Sequence, residues 1–573
     1  MFRNTIIATV AAALLWAGVC RAAELQDYCK PDELKPPPDA AMSLYHAPWR
    51  ANPRTVSAEA ALAGVGVYYK HTPHWTEAQH TAVMTQMAAA GVRRLRLAPH
   101  HTLYIHKDWT APEQNELERI RWEFRASHAA GIRPCVVFVH IAPAGKPDSD
   151  ELAKWYTRNW NKGLAGLVPV GEIGSPSWQA YLDKVCLSLT FGLREAREAG
   201  FTERGSYDIE MGQNMWWGAP AITDPWPSTE LKDLLPGSRI YEFDKAVIER
   251  ARRDGYGEPV FWWGESHHIL SECRNEEVPP VATGRAISFY SQGIGPRTSE
   301  WAKKAADTWP VLPERKFLEG DPPETVLARP EGWFADFSRH DNLIELLRRT
   351  DKPIAVTSLG TVPADIADRD KSPLTGWQMK QRGLTRSLAF WLNQGAAFVL
   401  IHSAYEPGQK DGGEVSHALI PGEIKDTAAF RWEDAPPLRT LRLFCDGLAG
   451  ARPVEKPQDL RFRFSVEPDP VLIPRTGNAG PMRASDLVAL LPFQLDDKRF
   501  AVAAYVVTPN IAVPMEPVRI TVEVDRGIRG DAALLRPYTE AAGEADVLRR
   551  DAKSTTLRFP LADDVTWVRF EVE

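Results

Sequence analysis

Residues 206–218, which read SYDIEMGQNMWWG, decide the fold class that we predict for this chain. Residues 207–211 suit a buried strand. The strand is followed by the side-chain amide of Asn214 and by the pair Trp216 and Trp217. Indole faces stack on the C–H face of a sugar ring, and amides bind its hydroxyls. The stretch therefore predicts a strand that ends at a sugar site, and the alternative is a buried strand end with core tryptophans.

The pattern of this stretch recurs along the chain, because short apolar runs with polar ends are each followed by an amphipathic segment. The runs lie at 62–69, 92–98, 133–139, 207–211, 259–263, 286–290, 353–357 and 396–401. Near-continuous apolar strands alternating with helices indicate a parallel sheet that is buried on both faces. Eight such units predict a closed (β/α)8 barrel of the TIM type, in the α/β class.

An open, doubly wound sheet is the alternative architecture for the same alternation. That fold normally carries a Gly-rich first turn for a nucleotide, and residues 64–68 show none. The barrel is therefore the preferred prediction.

Helices are predicted between the strands from apolar periodicity and from glycines at their carboxyl ends. Gly131, Gly200 and Gly255 each follow such a segment. The predicted helices span 76–90, 112–130, 177–199, 241–254, 333–350, 376–393 and 438–448.

Helical periodicity is lost after about Arg452. Short strand-like runs punctuated by Pro, Gly and Asp follow, at 459–466, 486–491, 500–507, 518–524, 532–535, 555–559 and 566–572. This pattern of short strands and turn residues is typical of an antiparallel β-sandwich. We predict four segments, namely a signal peptide at 1–23, an extended segment at 24–60, the barrel at 61–452 and an accessory β-sandwich at 453–573.

The amino terminus has the features of a secretory signal peptide. Arg3 supplies a positive charge, and residues 6–19 form an apolar run too short for a stable membrane span. Small residues predict cleavage near Ala22 or Ala23, which would make the protein secreted or periplasmic, without stable membrane insertion. A lipoprotein signal at Cys20 is the alternative.

Composition limits the classes of partner. The net charge is −7, which gives no reason to expect nucleic acid or an anionic membrane surface. Five cysteines remain after cleavage, an odd number without CxxC spacing, so neither a disulfide scaffold nor structural zinc is expected. The 20 tryptophans fit sugar binding as well as a large core.

Candidate site residues are those at the carboxyl ends of the predicted strands, because barrel enzymes place their active sites on that face. They combine polar groups with aromatic rings, which is what sugar recognition needs. The candidates are His100, His140, Glu210, Asn214, Trp216, Trp217, Trp263, Glu265, His267, Tyr290, Gln292, Ser358, His402 and Tyr405.

Four of these histidines, which stand at four strand ends, raise the question of a metal. Metal-dependent barrel hydrolases usually carry His-x-His on the first strand, whereas the nearest pair here, His71 and His74, has a different spacing. A phosphate loop and a Gly-x-Ser-x-Gly elbow are also absent from the sequence. We therefore predict neither a metal nor a cofactor.

Two motifs resemble those of the clan-A glycoside hydrolases, in particular the β-xylosidase and α-iduronidase group. In that clan the fourth strand typically reads Glu-x-x-Asn-Glu and the seventh ends in Thr-Glu-x-Gly. This chain has Glu210-Met211-Gly212-Gln213-Asn214 and Thr357-Ser358-Leu359-Gly360. The resemblance implies that residue 214 stands at the acid/base position and residue 358 at the nucleophile position, within a frame that covers the predicted barrel.

Asn214 and Ser358 depart from the clan at the two positions that matter for chemistry. A retaining glycosidase needs two carboxyl groups, one to donate a proton and one to attack the anomeric carbon. Asn cannot shuttle a proton, and Ser without a base is a poor nucleophile. The usual clan mechanism is therefore not expected here.

Glu265 and Glu210 are the carboxylates predicted to replace the missing pair. Glu265 ends the fifth predicted strand, and Glu210 precedes Asn214 by four residues on the same strand face. A catalytic pair on strands four and five resembles the α-amylase-like barrels. The alternatives are a structural carboxylate for Glu210, and a sugar-hydroxyl acceptor or a partner of His267 for Glu265.

The resulting functional prediction is a secreted glycoside hydrolase that acts on a polysaccharide or oligosaccharide. A catalytically silent carbohydrate-binding protein on the same frame is the alternative. The first hypothesis needs two carboxyl groups within about 5–10 Å of each other across the pocket, and the second predicts one or none.

Overall fold

The structure is a computed structural model of the chain. It describes residues 24–29, 50, 54–70, 72, 75–98, 114–138, 172–211, 237, 239–266, 278–288, 352–366, 369–405, 412–422, 424–474 and 481–573. For a few residues inside these helices and strands it describes the backbone alone.

The strands are numbered β1 to β21 in chain order. They are β1 (Gln26–Asp27), β2 (Val56–Ser57), β3 (Val65–Lys70), β4 (Arg94–Ala98), β5 (Arg133–Phe138), β6 (Tyr207–Met211), β7 (Pro259–Ser266), β8 (Gly284–Ser288), β9 (Ile354–Leu359), β10 (Val399–Ile401), β11 (Phe462–Glu467), β12 (Val471–Ile473), β13 (Met482–Arg483), β14 (Val488–Gln494), β15 (Arg499–Val506), β16 (Val518–Val524), β17 (Ile528–Arg536), β18 (Ala541–Glu544), β19 (Asp546–Arg550), β20 (Thr555–Leu561) and β21 (Thr566–Val572).

The α-helices of the described ranges follow the same scheme. They are α1 (Ala58–Ala63), α2 (Glu77–Ala89), α3 (Gln114–Ala129), α4 (Pro176–Glu198), α5 (Arg239–Arg253), α6 (Gly376–Asn393) and α7 (Pro436–Gly447).

Strands β3 to β10 form a closed barrel in which each strand pairs in parallel with the next, and β10 closes on β3. This confirms the predicted (β/α)8 fold class and the assignment of all eight strand units. The predicted bounds of β6 and α6 match the structure residue for residue. The predicted helix 333–350 lies outside the described residues.

The prediction for the first barrel strand was wrong at the amino-terminal end of that strand. Its opening residues belong to helix α1, and β3 begins only at Val65. The physical reason is local, because the sequence AEAALA has a high helix propensity and Ser57 accepts a hydrogen bond from Ala60 N–H at the helix start. Helices α2 and α6 begin with reciprocal capping boxes, formed by Thr76 with Gln79 and by Thr375 with Gln378.

The three glycines predicted to end helices all adopt the left-handed backbone that such a position requires. Their φ angles are 66° at Gly131, 107° at Gly200 and 89° at Gly255. Each lies one or two residues beyond the last helical residue, so the periodicity and the glycine signal agree on where these helices stop.

Most of the carboxyl-terminal strands lie in two largely antiparallel sheets, and β12 and β13 form a separate two-stranded sheet, which confirms the predicted β-sandwich class. One sheet has the order β1-β11-β16-β20-β19, and the other has β18-β17-β21-β15-β14-β2. Strands β1 and β2 come from the segment predicted as extended, and each adds an edge to a different sheet, β1 antiparallel to β11 and β2 parallel to β14. Strands β18 and β19 were not predicted, because they are exposed on most of their length and lack apolar alternation.

Candidate functional site

Strand alternation places a layer of charged side chains inside the barrel. Arg96 on β4 and Glu210 on β6 form a two-point ion pair, with Nε to Oε2 at 2.7 Å and Nη2 to Oε1 at 2.9 Å. Thr357 on β9 donates its hydroxyl to the same Oε1 at 3.0 Å. All three residues have a relative exposure of 0%. The Glu210 carboxylate is therefore fully engaged from two other strands.

A second acidic residue, Asp208, lies two residues earlier on β6 and is held in the same way. Arg133 binds it through Nε at 2.7 Å and Nη2 at 2.6 Å, and Arg94 pairs with it as well. The indole Nε1 of Trp262 donates to Asp208 Oδ1 at 2.8 Å. The interior of the barrel is thus crossed by ion pairs and by a small apolar cluster around Trp262 and Phe398.

The Arg96–Glu210 pair has an electrostatic consequence for its neighbours. Burial alone would lower the pKa of the Arg96 guanidinium, but the adjacent Glu210 carboxylate more than offsets this, and the pKa is raised. Burial, and then the Glu210 and Asp208 charges, raise the pKa of the Cys135 thiol well above its usual range. Arg96 therefore stays cationic and Cys135 stays a neutral thiol.

The surroundings of Glu210 differ from those that a catalytic acid/base requires. The prediction of catalysis required its carboxyl group to reach the pocket, whereas the side chain is sealed inside the barrel. The physical reason lies in the strand geometry, since Glu210 lies within β6 and its side chain points into the closed barrel, where Arg96 binds it. The geometry matches the alternative prediction for Glu210, which is a buried structural carboxylate.

Ser358 lies next to Thr357 at the carboxyl end of β9. Its backbone sits at a shift in register between β8 and β9, where Ser288 pairs with Ser358. The side chain is fully buried, and its Oγ has no hydrogen-bond partner in the structure described. Arg96 Nη1 also lacks a partner there, although the other two guanidinium nitrogens are bound to Glu210. Buried polar groups without partners are uncommon and are typical of functional positions.

His402 follows β10 and belongs to an aromatic group at the same end of the barrel. Its ring lies 4.4 Å from the ring of Tyr68 on β3 and 4.4 Å from the ring of His417. The backbone of Ser403 donates to His417 O at 3.1 Å, which fixes the loop at 412–422 against the strand end. The guanidinium of Arg96 lies over the Tyr68 ring at 5.2 Å. This group links strands β10, β3 and β4.

Trp263, which is predicted to line the sugar pocket, is buried in the core between β7 and α5. Its Nε1 donates to Asp244 Oδ2 on α5 at 2.8 Å, and its ring meets Tyr241 edge-on at 6.1 Å. The residue has 0% exposure. Two adjacent tryptophans in one strand must point to opposite sides, so Trp262 enters the barrel and Trp263 packs under the helix.

Tyr405 is also buried, with 1% exposure. Its ring stacks on Trp75 at 5.4 Å, and its hydroxyl accepts a hydrogen bond from Ile424 N–H at 3.4 Å. These contacts place the side chain, which is predicted to contact sugar, in the packing between the first and last barrel units.

The remaining predicted site residues are not tested by this geometry. Glu265 belongs to β7, where its backbone pairs with Ile287, and its side chain lies outside the described part of the chain. Eight others lie outside the described residues altogether: His100, His140, Asn214, Trp216, Trp217, His267, Tyr290 and Gln292.

Sequence reasoning missed Arg96, Tyr68 and His417. A signal for Arg96 was available, because Arg94 and Arg96 alternate with leucines in a strand predicted to be buried on both faces. Charged residues in such a strand need partners across the barrel. His417 gave no comparable signal, since it is a lone histidine in a polar loop.

The fold and these residues define a class, namely a (β/α)8-barrel protein with a carboxyl-terminal β-sandwich and a polar, aromatic group at the carboxyl ends of its barrel strands. Among the residues described, no three His, Cys, Asp or Glu side chains are arranged to hold a metal ion. No helix there is both long and apolar enough to cross a bilayer.

Several solved structures are similar to this chain. A glycoside hydrolase family 30 subfamily 8 xylanase from Clostridium acetobutylicum is 11% identical, with a TM-score of 0.42, covering 91% of this chain and 97% of its own. The GH39 enzyme from Xanthomonas axonopodis pv. citri is 10% identical, with a TM-score of 0.42, covering 91% and 96%. An endo-1,4-β-D-mannanase from Thermotoga petrophila is 11% identical, with a TM-score of 0.36, covering 67% and 99%.

No protein-family model matches the chain, and no curated protein matches it. The closed barrel and the antiparallel sheets themselves establish the fold.

Proposed function

We propose that this protein is a secreted glycoside hydrolase, which acts on a polysaccharide or oligosaccharide at the carboxyl end of its barrel. The observation that carries the proposal is the closed barrel whose strand ends hold polar and aromatic side chains on the face that barrel enzymes use for ligands. The motifs around Glu210 and Ser358, which resemble clan-A strands four and seven, support it.

Glu265 is the proposed general acid/base. It is the penultimate residue of barrel strand β7, and the two positions that correspond to the clan's catalytic carboxylates hold Asn214 and Ser358, which have no carboxyl group. Glu210 is assigned a structural role instead, because its carboxylate is bound by Arg96 and Thr357 and cannot exchange a proton with a ligand without breaking that pair.

A catalytically silent carbohydrate-binding protein is the second candidate, and a specific observation favours it. Where the resemblance implies a nucleophile, the chain has the Ser358 hydroxyl, and the nearby Glu210 is sealed by Arg96. A site without two reachable carboxyl groups can bind a glycan but has no route to hydrolysis by the two-carboxylate mechanism.

The test is a glycan panel in which hydrolysis is measured by release of reducing ends and binding by calorimetry. The proposal predicts hydrolysis of at least one glycan, and Glu265→Gln lowers kcat by about 10²–10⁴-fold, the usual contribution of a general acid/base. Glu210→Gln keeps kcat per folded molecule. Glu203→Gln, an exposed residue in the loop before β6, is the matched control and leaves both readouts unchanged.

The outcomes separate the two candidates. Binding without hydrolysis in the wild type, with hydrolysis created by Asn214→Glu combined with Ser358→Glu, favours the silent binder. Hydrolysis that survives Glu265→Gln removes Glu265 from the mechanism. Absence of both binding and hydrolysis across the panel overturns the proposal.

A further inference from the structure

The barrel and the sandwich are joined by a buried cluster of charges beside helix α6. Arg382 on that helix is 2% exposed, forms an ion pair with Asp563 and donates Nη1 to Ile511 O at 2.9 Å. Arg386, one turn further along the helix, is fully buried and donates both of its Nη groups to Thr508 at 3.3 Å. Two barrel arginines therefore hold two loops of the sandwich.

Asp563 is the acceptor at the centre of this cluster. Its Oδ2 accepts the Thr508 hydroxyl at 2.9 Å, and its Oδ1 accepts Met515 N–H at 3.4 Å. With the Arg382 guanidinium in place, this carboxylate is well matched as an anion.

Asp564 is the next residue, and its carboxylate has no comparable set of hydrogen-bond donors. It is 8% exposed, and its Oδ2 is buried without a hydrogen-bond partner in the described structure. A second carboxylate next to Asp563 adds a negative charge to a site in which Arg382 already forms an ion pair with Asp563.

The surroundings of Asp564 shift the pKa of its carboxyl group in both directions. Burial raises its pKa most, and the neighbouring Asp563 charge raises it further, while Arg382 and Arg536 on β17 lower it. The result is a pKa of about 6. Arg386 reaches the same cluster through Thr508, and Tyr538 is a further ionisable neighbour among the described residues. Burial raises the pKa of Tyr538, so its phenol stays neutral at these pH values.

We propose that the Asp563–Asp564 pair and the arginines of α6 form a pH-sensitive joint, which holds the sandwich tightly on the barrel when Asp564 is neutral and loosens as the pH rises and Asp564 ionises. The joined state binds the Asp564 proton more strongly than an opened, solvated state does. Joint stability is therefore fully present below the ordinary pKa of an aspartate and is lost progressively as the pH rises through about 6.

The opening is local, because a separate apolar contact keeps the sandwich attached. Trp567 on β21 packs against Phe444 on α7 at 5.1 Å between ring centroids, and it also packs against Phe493. No titratable side chain takes part in that contact.

The size of the pH effect follows from the pKa of Asp564 in the two states. When this pKa is about 6 in the joined state and has its ordinary value in the opened state, linkage gives an opening equilibrium about tenfold larger at pH 8 than at pH 5.

Hydrogen exchange on the full-length protein tests the joint, with labelling times scaled to the intrinsic rates at pH 5 and pH 8. Peptides that cover 508–515 and 563–565 should show an opening equilibrium about tenfold larger at pH 8 in the wild type. Peptides from α7 should not change. Asp564→Asn, which keeps the shape and removes the charge, should abolish the difference between the two pH values.

Asp497→Asn is the matched control, because Asp497 also follows an aspartate that is paired with an arginine, Asp496 with Arg499 at 2.6 Å, but is itself exposed. It should leave the tenfold difference intact. A full pH effect that persists in Asp564→Asn overturns the proposal, as does a wild-type joint that opens equally at both pH values.

Discussion

Removing the Glu210 charge tests whether the Arg96–Glu210 pair is a sealed structural element. Glu210→Gln leaves the Arg96 guanidinium fully buried with no counter-ion and weakens two short hydrogen bonds and the contact from Thr357. Breaking a buried pair from one side costs about 3–5 kcal/mol, because the remaining charge is left uncompensated. That cost corresponds to an opening equilibrium for β6 raised roughly a hundredfold or more.

The chain offers a matched control with the same geometry and different burial. Arg121 binds Glu195 through the same atoms at 2.8 Å and 2.9 Å, but the Arg121 side chain is 29% exposed. Glu195→Gln should therefore cost about 1 kcal/mol or less, since solvent screens the charge that remains. The assay is hydrogen exchange of peptides from β6 and α4, supported by urea midpoints.

The double variant Arg96→Met with Glu210→Met extends the test. It removes both charges and fills the site with apolar groups, so it should be more stable than Glu210→Gln alone. An equal, small effect of Glu210→Gln and Glu195→Gln would refute the reasoning, because it would mean that Glu210 is not sealed. Loss of glycan hydrolysis in Glu210→Gln with unchanged stability would return Glu210 to the catalytic pair.

Two further substitutions test the packing around the barrel. Trp263→Phe removes the donor to Asp244 and should cost about 1–3 kcal/mol in the urea-derived free energy of unfolding, while glycan affinity measured by calorimetry stays unchanged; a loss of affinity without a loss of stability would contradict the core assignment. Gly383→Ala places a methyl group 2.0 Å from Thr361 Oγ1, so this variant should lower the urea midpoint, although Gly→Ala in a helix usually raises stability, and Thr361→Ala should restore part of the loss. A stabilised Gly383→Ala protein would show that the contact yields without cost.

The alternation of elements could be predicted from the sequence because each signal is local. Residues 207–211 and 376–393 were assigned with their observed bounds, since a short strand-like run and an apolar helical period are local signals that need no distant partner. Strand β19 could not be predicted, because a strand exposed on both faces carries no apolar alternation and forms only by pairing with β20.

The candidate site depended more strongly on the tertiary structure. The sequence identified Glu210, Ser358 and His402 as strand-end residues, and their strand positions follow from periodicity alone. Which of them reaches a ligand depends on depth within the closed barrel and on partners more than 100 residues away, as with Arg96 at a separation of 114. For the same reason Trp262 and Trp263 are the same residue type in one strand, but Trp262 lies inside the barrel and Trp263 packs against helix α5. Local sequence determines which way a side chain alternates, whereas burial and charge pairing arise only when the eight strands close on one another.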